Sequence, residues 1–305
     1  MNIKKIGLTA LAGSLVVTSA YAGALSVSGG ASIGLKNTTK TATGKSWTMG
    51  NQITFSGSGE LDNGMNVSLS FVIDQADDTL PFDGHSVTVS SDSLGTLKFS
   101  GEGGSSAQSA IDTTAAGDLW NNGQNFTTVR ASEAGDNSLF YTLPTIMDDL
   151  AVTASMSPGS AGGGTATSWA VVYTGVEGLT ASYGTGETNT VGSEQDHDTM
   201  KISYAIGSFT VGISQTESKY DAAASVDESV DSWQVAYTIS DDLSVTYGVD
   251  TIETESQSID EEAAALGVSY TTGGVTLTAT KFDSSGQGNS NTEGSLTGDQ
   301  ERWSL

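Results

Sequence analysis

The chain has 305 residues, a net charge of −25 and no cysteine. The negative charge excludes a nucleic-acid partner, because an acidic surface repels phosphates and attracts cations. The absence of cysteine excludes a small secreted scaffold that is held together by disulfides.

The first 22 residues have the pattern of a secretory signal peptide. Lys4 and Lys5 precede the short apolar segment IGLTALAGSLVV, and residues 20–22 (AYA) form a cleavage site with small residues at its ends. The apolar segment is shorter than the roughly 20 residues of a transmembrane helix, and no comparable apolar run follows it. The sequence therefore predicts a signal peptide at 1–22 and an exported domain at 23–305.

Segments that alternate apolar and polar residues follow one another along the rest of the chain. In 53–74, for example, Ile53 and Phe55 alternate with Thr54 and Ser56 up to an Asp-Asn-Gly turn, and the alternation then resumes. The alternation predicts fifteen strands and a sixteenth that begins at Glu301, an even number, as closure by antiparallel hairpins requires. The fifteen are 24–35, 47–60, 65–74, 86–91, 96–101, 137–143, 150–156, 167–174, 179–185, 198–206, 209–217, 231–240, 243–251, 262–272 and 275–283.

A unit of two strands repeats along the chain. Tyr141, Tyr173, Tyr204, Tyr237 and Tyr270 are separated by 32, 31, 33 and 33 residues. A propeller blade would need four strands in a slightly longer unit, and a solenoid coil would not alternate tight turns with long loops. Strand, short turn, strand and long loop is the order typical of an up-and-down barrel.

The apolar faces of these strands could rest on a protein core, as in a soluble secreted adhesin, or on lipid. Tryptophans lie near the starts of strands that follow long loops, and the repeated tyrosines lie at the other ends. Two aromatic belts at two depths are typical of membrane interfaces. The opposite faces carry Ser, Thr, Gly and Asn, which are too small and polar to fill a lumen of 16 strands. The sequence predicts an all-β, 16-stranded antiparallel transmembrane β-barrel.

The last strand is shorter than the others. The last predicted strand, 301–305 (ERWSL), contains only five residues, whereas a strand that spans a membrane needs about 9–11 residues. We therefore expect that the last strand is truncated in this sequence.

Three segments resemble the Gram-negative trimeric porins, in the form found in alphaproteobacteria. They are ITFSGSGELDNGMNVSLSF (53–71), SLGTLKFSG (93–101) and DNSLFYTLP (136–144). The first resembles that family's second hairpin, and the others resemble the strands that enter and leave its long third loop. The resemblance implies a homotrimeric, water-filled, passive channel surrounded by the lipid of a Gram-negative outer membrane, with a third loop that folds inward and narrows the pore.

The link from residue 102 to residue 135 stands in the place of that loop. In that family, acidic residues of the loop face a basic cluster on the barrel wall. Here the alternation of inward and outward side chains along each strand places only Lys98 and Lys201 clearly in the lumen at mid-strand. We therefore expect an acidic side of Asp112, Asp118 and Glu133 against a sparse basic side. The predicted constriction residues are Lys98, Glu102, Asp112, Asp118, Arg130, Glu133 and Lys201.

These features predict a general-diffusion porin for small hydrophilic solutes and ions, mildly selective for cations, because carboxylates in a pore concentrate cations. The alternative is a substrate-specific nutrient channel, although neither an aromatic slide nor an Arg/Lys ladder is present. An enzyme is not expected, since His85 and His197 are isolated in predicted loops and no nucleophile elbow or paired-histidine motif occurs.

No cofactor is predicted apart from a structural Ca²⁺ at one acidic loop. Residues 74–83 (DQADDTLPFD) contain Asp74, Asp77, Asp78 and Asp83. Flexible oxygen ligands suit Ca²⁺, although the spacing is not that of an EF-hand loop.

Overall fold

The computed structural model describes residues 25–38, 45–74, 82–119, 126–127, 129, 131–132, 135–159, 164–190, 193–221, 226–287 and 300–305. The predicted signal peptide lies outside these residues, as do Asp77, Asp78, Arg130 and Glu133. Within the described ranges, no helix is long and apolar enough to cross a membrane.

Sixteen antiparallel strands form one closed barrel in which each strand pairs with its neighbours in sequence. The strands are β1 (Leu25–Thr38), β2 (Lys45–Glu60), β3 (Asn66–Asp74), β4 (Phe82–Ser91), β5 (Gly95–Glu102), β6 (Ser138–Thr142), β7 (Leu150–Ser157), β8 (Thr165–Tyr173), β9 (Leu179–Thr190), β10 (Ser193–Ile206), β11 (Phe209–Tyr220), β12 (Glu228–Ser240), β13 (Leu243–Thr254), β14 (Glu261–Thr272), β15 (Val275–Ser285) and β16 (Gln300–Ser304). The predicted strand number and architecture are confirmed.

The barrel closes through the short strand β16. This strand pairs with β15 on one side and with β1 on the other, where Lys36 lies opposite Ser304. Leu35 and Leu305 extend this seam by exchanging backbone hydrogen bonds of 2.7 and 2.9 Å. Closure matters because lipid offers the backbone no hydrogen-bond partners, so a sheet that spans a membrane must leave no open edge. The truncation of β16 stays a prediction.

The outer face of the barrel is apolar and exposed, as predicted for a lipid-facing wall. Ile33 is 73% exposed and Trp47 is 75% exposed. Aromatic rings cluster on this face at two levels: Trp233 packs on Tyr247 at 5.5 Å between ring centroids, and Phe209 packs on Tyr237 at 4.6 Å. Amphipathic rings at two depths mark the two interfaces of the bilayer.

Several strands extend further on the long-loop side than the alternation predicts. Strand β10 begins at Ser193 rather than at residue 198, and β4 begins at Phe82 rather than at residue 86. Beyond the membrane both faces of a strand meet water, so the apolar signal ends while the backbone ladder continues.

Both histidines therefore lie in strands, and the prediction that they lie in loops is wrong. His85 belongs to β4, and its ring stacks on Phe71 at 6.2 Å. His197 belongs to β10, is fully buried, and its Nδ1 lies 2.9 Å from Ser218 Oγ.

Candidate pore constriction

The segment between β5 and β6, residues 103–137, is called L3 here, and its described residues lie inside the barrel. The backbone N–H of Ala107 donates to Ser155 Oγ at 2.9 Å and to Ser168 Oγ at 2.8 Å. The N–H of Ala116 donates to Ser232 Oγ at 2.9 Å. These serines lie on the inward faces of β7, β8 and β12, so the predicted inward fold of the third loop is confirmed.

Gln108 joins two parts of L3 to the wall. Its side chain is fully buried, and both ends of its amide are used. Nε2 donates to Thr199 Oγ1 on β10 at 2.6 Å, while Oε1 accepts from the N–H of Ser132 at 2.8 Å. A buried amide with both groups paired fixes the position of the loop without leaving an unsatisfied polar atom.

Inward glycines let the L3 backbone approach the wall closely. A Cβ atom at Gly248 would lie 2.6 Å from the Cβ of Ala116, and one at Gly186 would lie 2.5 Å from the Cβ of Ser132. A side chain at either position would therefore displace the loop. The small inward residues, which we expected only to line water, provide the surface on which L3 packs.

Two carboxylates of the wall also hold L3, and the sequence analysis did not identify either of them. Asp250 on β13 accepts the N–H of Leu119 at 2.8 Å. Glu261 on β14 accepts the N–H of Thr127 at 2.7 Å and its hydroxyl at 3.3 Å. Both acids are almost completely buried. An acid at an inward position among small residues, as at Asp250 after Gly248, is the signal that could have identified them.

The buried apolar clusters of the described residues lie between L3 and the inner wall. Phe126 of L3 packs edge-on against Phe282 of β15, with ring centroids 6.3 Å apart. The clusters consist of Leu119, Val129, Val230, Ile252, Ala263 and Phe282, with Ala116, Phe126 and Ala265 packed against them. The core of this protein therefore lies inside the barrel, and the lumen is partly filled on this side.

The structure brings Asp112 and Lys201 together. Lys201 Nζ lies 2.7 Å from Asp112 Oδ2 and donates to the carbonyl of Thr114 at 2.8 Å. The lysine side chain is 21% exposed and the aspartate side chain 53% exposed, so the pair borders open space. Asp112 has a φ of 64°, which few residues other than glycine adopt.

Asp118 lies in the same turn as Asp112 but bonds to its own loop. Its Oδ1 accepts from the hydroxyls of Thr113 at 3.3 Å and Thr114 at 3.2 Å. Its N–H donates to Thr114 Oγ1 at 2.7 Å. The hydroxyls hold this carboxylate in place, so Asp112 and Asp118 form one acidic turn beside Lys201.

The remaining predicted residues lie apart from this turn. Lys98 faces inward on β5 and is exposed, and no bond joins its ammonium group to another described residue. Glu102 ends β5 beside His85, whose Nδ1 is 3.9 Å from Glu102 Oε2. The strand register also places Lys36 and Arg302 on inward rows.

Metal binding finds no support within the described ranges, where no group of three or more His, Cys, Asp or Glu side chains could hold a metal ion. The predicted Ca²⁺ site depends partly on Asp77 and Asp78, which lie outside those ranges. This site stays a prediction.

Sequence comparison identifies one family. A profile of Gram-negative porins matches residues 7–282, which is most of the chain. No curated protein matches the sequence significantly.

Solved structures of porins share the fold. The anion-selective porin from Comamonas acidovorans superimposes with a TM-score of 0.71 at 15% identity, covering 92% of this chain and 98% of that one. In-vitro folded OmpT, an outer membrane protein of Vibrio cholerae, gives 0.70 at 13% identity, covering 95% and 97%. A trimer form of in-vitro folded OmpT gives 0.67 at 13% identity, covering 93% and 98%. At these identities the likeness concerns the fold alone.

Proposed function

Since the chain belongs to the Gram-negative porin family and forms a channel in the outer membrane, we propose that it admits small hydrophilic solutes and ions by general diffusion, with a mild preference for cations. The observation that carries this proposal is the acidic turn of L3, Asp112 and Asp118, held beside Lys201 within the barrel. Permeation through such a pore needs neither a cofactor nor a chemical step.

The preference follows from the charges along the pore. A carboxylate that borders water raises the local concentration of cations and lowers that of anions. Lys201 offsets part of the field of Asp112, and the inward Lys36, Lys98 and Arg302 oppose it further. The excess of acids in the chain as a whole, 36 against 11 Lys and Arg, keeps the preference on the side of cations, and the inward cations keep it mild.

Planar bilayers test this proposal directly. The purified chain is reconstituted, and the reversal potential is measured across a KCl gradient. We expect stepwise conductance increases and a reversal potential of the sign that cation preference produces. Clear anion preference would contradict the assignment.

A second candidate is a channel for a particular neutral nutrient. A cavity of about 240 Å³ lies beside L3. Its lining combines side-chain hydroxyls and one amide with apolar residues that include Leu119 and Ala265. The polar groups include those of Thr246, Ser269, Thr278 and Gln234. Its volume is below the roughly 300–1,000 Å³ of pockets that enclose drug-sized ligands, so it suits a small polar solute. Saturable block of the ionic current by a neutral polyol, without block by charged solutes, would favour this function.

We also propose that the mature protein is a homotrimer that begins near Gly23. The trimer form of OmpT supports the assembly by likeness of fold, and the cleavage pattern of residues 20–22 supports the start. Native mass spectrometry of the outer-membrane protein should give three copies per particle. Amino-terminal sequencing of the same sample should begin near Gly23.

A further inference from the structure

A third carboxylate lies directly behind the acidic turn of L3. Asp250 on β13 is fully buried between the barrel wall and the loop. Its Oδ2 accepts the N–H of Leu119 at 2.8 Å, and Leu119 follows Asp118 in the chain. The charges of Asp118 and Asp112 both act on Asp250. The structure therefore groups three carboxylates at the constriction, two in the turn and one behind it.

Asp250 is bonded to the loop on both sides of Asp118. The N–H of Leu119 donates to it directly, and the hydroxyl of Ser232, its register partner on β12, also bonds to it. The same hydroxyl accepts the N–H of Ala116 at 2.9 Å. Hydrogen bonds to an ionised acceptor are roughly twice as strong as neutral ones. These bonds therefore hold the buried carboxylate close to the turn.

No cation is bonded to Asp250 within the described part of the chain. Its Oδ1 is buried and has no hydrogen-bond partner there. The ammonium group of Lys201 pairs with Asp112 instead. The two acids of the turn have the same sign of charge as Asp250, so they add to its field and do not offset it.

Burial changes how far the charge of Asp250 acts. Protein has a lower effective dielectric constant than water, so the field of a buried charge weakens less with distance. Mobile ions screen charges that are exposed to solvent, but they screen buried charges much less. Because the residue that Asp250 binds is next to Asp118, the field of the buried carboxylate enters the lumen beside the acidic turn.

We propose that Asp250 is a third selectivity-determining charge of the constriction, which draws cations toward the acidic turn from behind L3. The carboxylate is not exposed to the pore, so it acts on permeating ions through its field alone. This inference rests on the cation preference proposed above and adds a component that salt does not remove. Asp112 and Asp118 supply the part of the field that salt screens most, and Asp250 supplies the buried part.

Reversal potentials of the full chain in planar bilayers test this role. Asp250→Asn removes the charge but keeps an oxygen that can accept the N–H of Leu119. The recordings are made at about pH 8, where carboxylates are ionised, and in about 1 M KCl, where charges at the rims are screened. We expect the ratio of cation to anion permeability to fall about twofold, because the charge acts through a layer of protein and not at contact. The single-channel conductance should change little.

Three variants separate the charge of Asp250 from its contacts. Ser232→Ala breaks the bond to Ala116 but keeps the charge, so it should disturb the current without lowering the permeability ratio. Glu253→Gln removes an exposed acid from the outer face of the same strand and should leave the ratio unchanged in about 1 M KCl. Asp250→Ser removes the charge with a smaller side chain and should reproduce the shift if Asp250→Asn does not fold.

The double variant Asp250→Asn/Lys201→Gln shows whether Asp250 acts through the ion pair of the turn. Two charges that act separately on permeating ions should give shifts in the permeability ratio that multiply. If Asp250 acted only by holding Lys201 against Asp112, its replacement would have no effect once Lys201 is absent. That result would overturn the proposal.

Two further results would also overturn it. The first is an unchanged permeability ratio in Asp250→Asn. The second is an equal fall of the ratio in Ser232→Ala, which would assign the effect to the position of L3. Failure of the proposed function is a separate result: a native channel that prefers anions would contradict the cation preference. The difference between the native chain and Asp250→Asn reports the charge of Asp250 whatever the sign of the native preference.

Discussion

Lys201 partly neutralises the negative charge of the acidic turn of L3, which consists of Asp112 and Asp118. Its ammonium group contacts one carboxylate and one carbonyl of L3, so it both neutralises charge and holds the turn against β10. Asp118, held by threonine hydroxyls of its own turn, has no comparable cation among the described residues. One acid of the turn is thus offset and the other is not.

Replacement of Lys201 by glutamine should increase cation selectivity, because it leaves Asp112 without its counter-charge. The gain in the ratio of cation to anion permeability should be roughly two- to fivefold, the range for an ion pair that borders water. Reversal potentials in planar bilayers measure this ratio. The matched control is Lys219→Gln, which breaks the pair with Glu217 on the outer face and should leave the ratio unchanged at about 1 M KCl, where charges at the rim are screened. Equal effects of the two variants would remove Lys201 from the pore.

Replacement of Gly248 by alanine should displace L3, because the new Cβ would overlap with Ala116. Overpacking of this kind typically destabilises a protein by about 1–3 kcal/mol. We expect a lower midpoint of urea unfolding in detergent and an altered single-channel conductance. The control is Gly30→Ala, since Gly30 faces inward on β1 and a Cβ at this position would have no neighbouring atom within 4 Å. If Gly248→Ala leaves conductance and stability unchanged, close packing at this point does not position the loop.

At the level of elements, the sequence predicts where L3 lies but not what holds it there. Alternation reports the two faces of one strand at a time. The wall partners of L3 are far away in sequence: Leu119 and Asp250 are 131 residues apart, and Thr127 and Glu261 are 134 apart. No local pattern connects such positions.

Replacement of Glu261 by leucine should loosen the second half of L3. The N–H and hydroxyl of Thr127 would lose their acceptors, and an unsatisfied buried donor costs about 1–3 kcal/mol. Hydrogen exchange at peptides that contain Thr127 should accelerate, and open-channel current noise should rise. Glu261→Gln keeps one acceptor oxygen and should give a smaller effect. Glu262→Gln, on the outward side of the same strand, should give none.

At the level of the whole molecule, a closed sheet and a strong net charge act together. Closure satisfies the backbone in lipid, so stability does not require a packed core across the full lumen, and L3 fills only part of it. The charge of −25 produces a field that extends beyond the acidic turn to the rims, where Glu253, Glu255 and Asp260 border one cavity of about 440 Å³.

The salt dependence of selectivity distinguishes this extended field from the acidic turn alone. The screening length is about 10 Å at 0.1 M salt and about 3 Å at 1 M, so rim charges act on permeating ions only in dilute salt. Charges within the constriction act at contact distance and are screened less. We therefore expect the ratio of cation to anion permeability to fall between about 0.1 and 1 M KCl at a constant concentration ratio across the bilayer, but to stay above one. The increase caused by Lys201→Gln should persist at the higher concentration. A ratio that does not change with salt would assign selectivity to the constriction alone, whereas loss of all preference at 1 M would assign it to the rims.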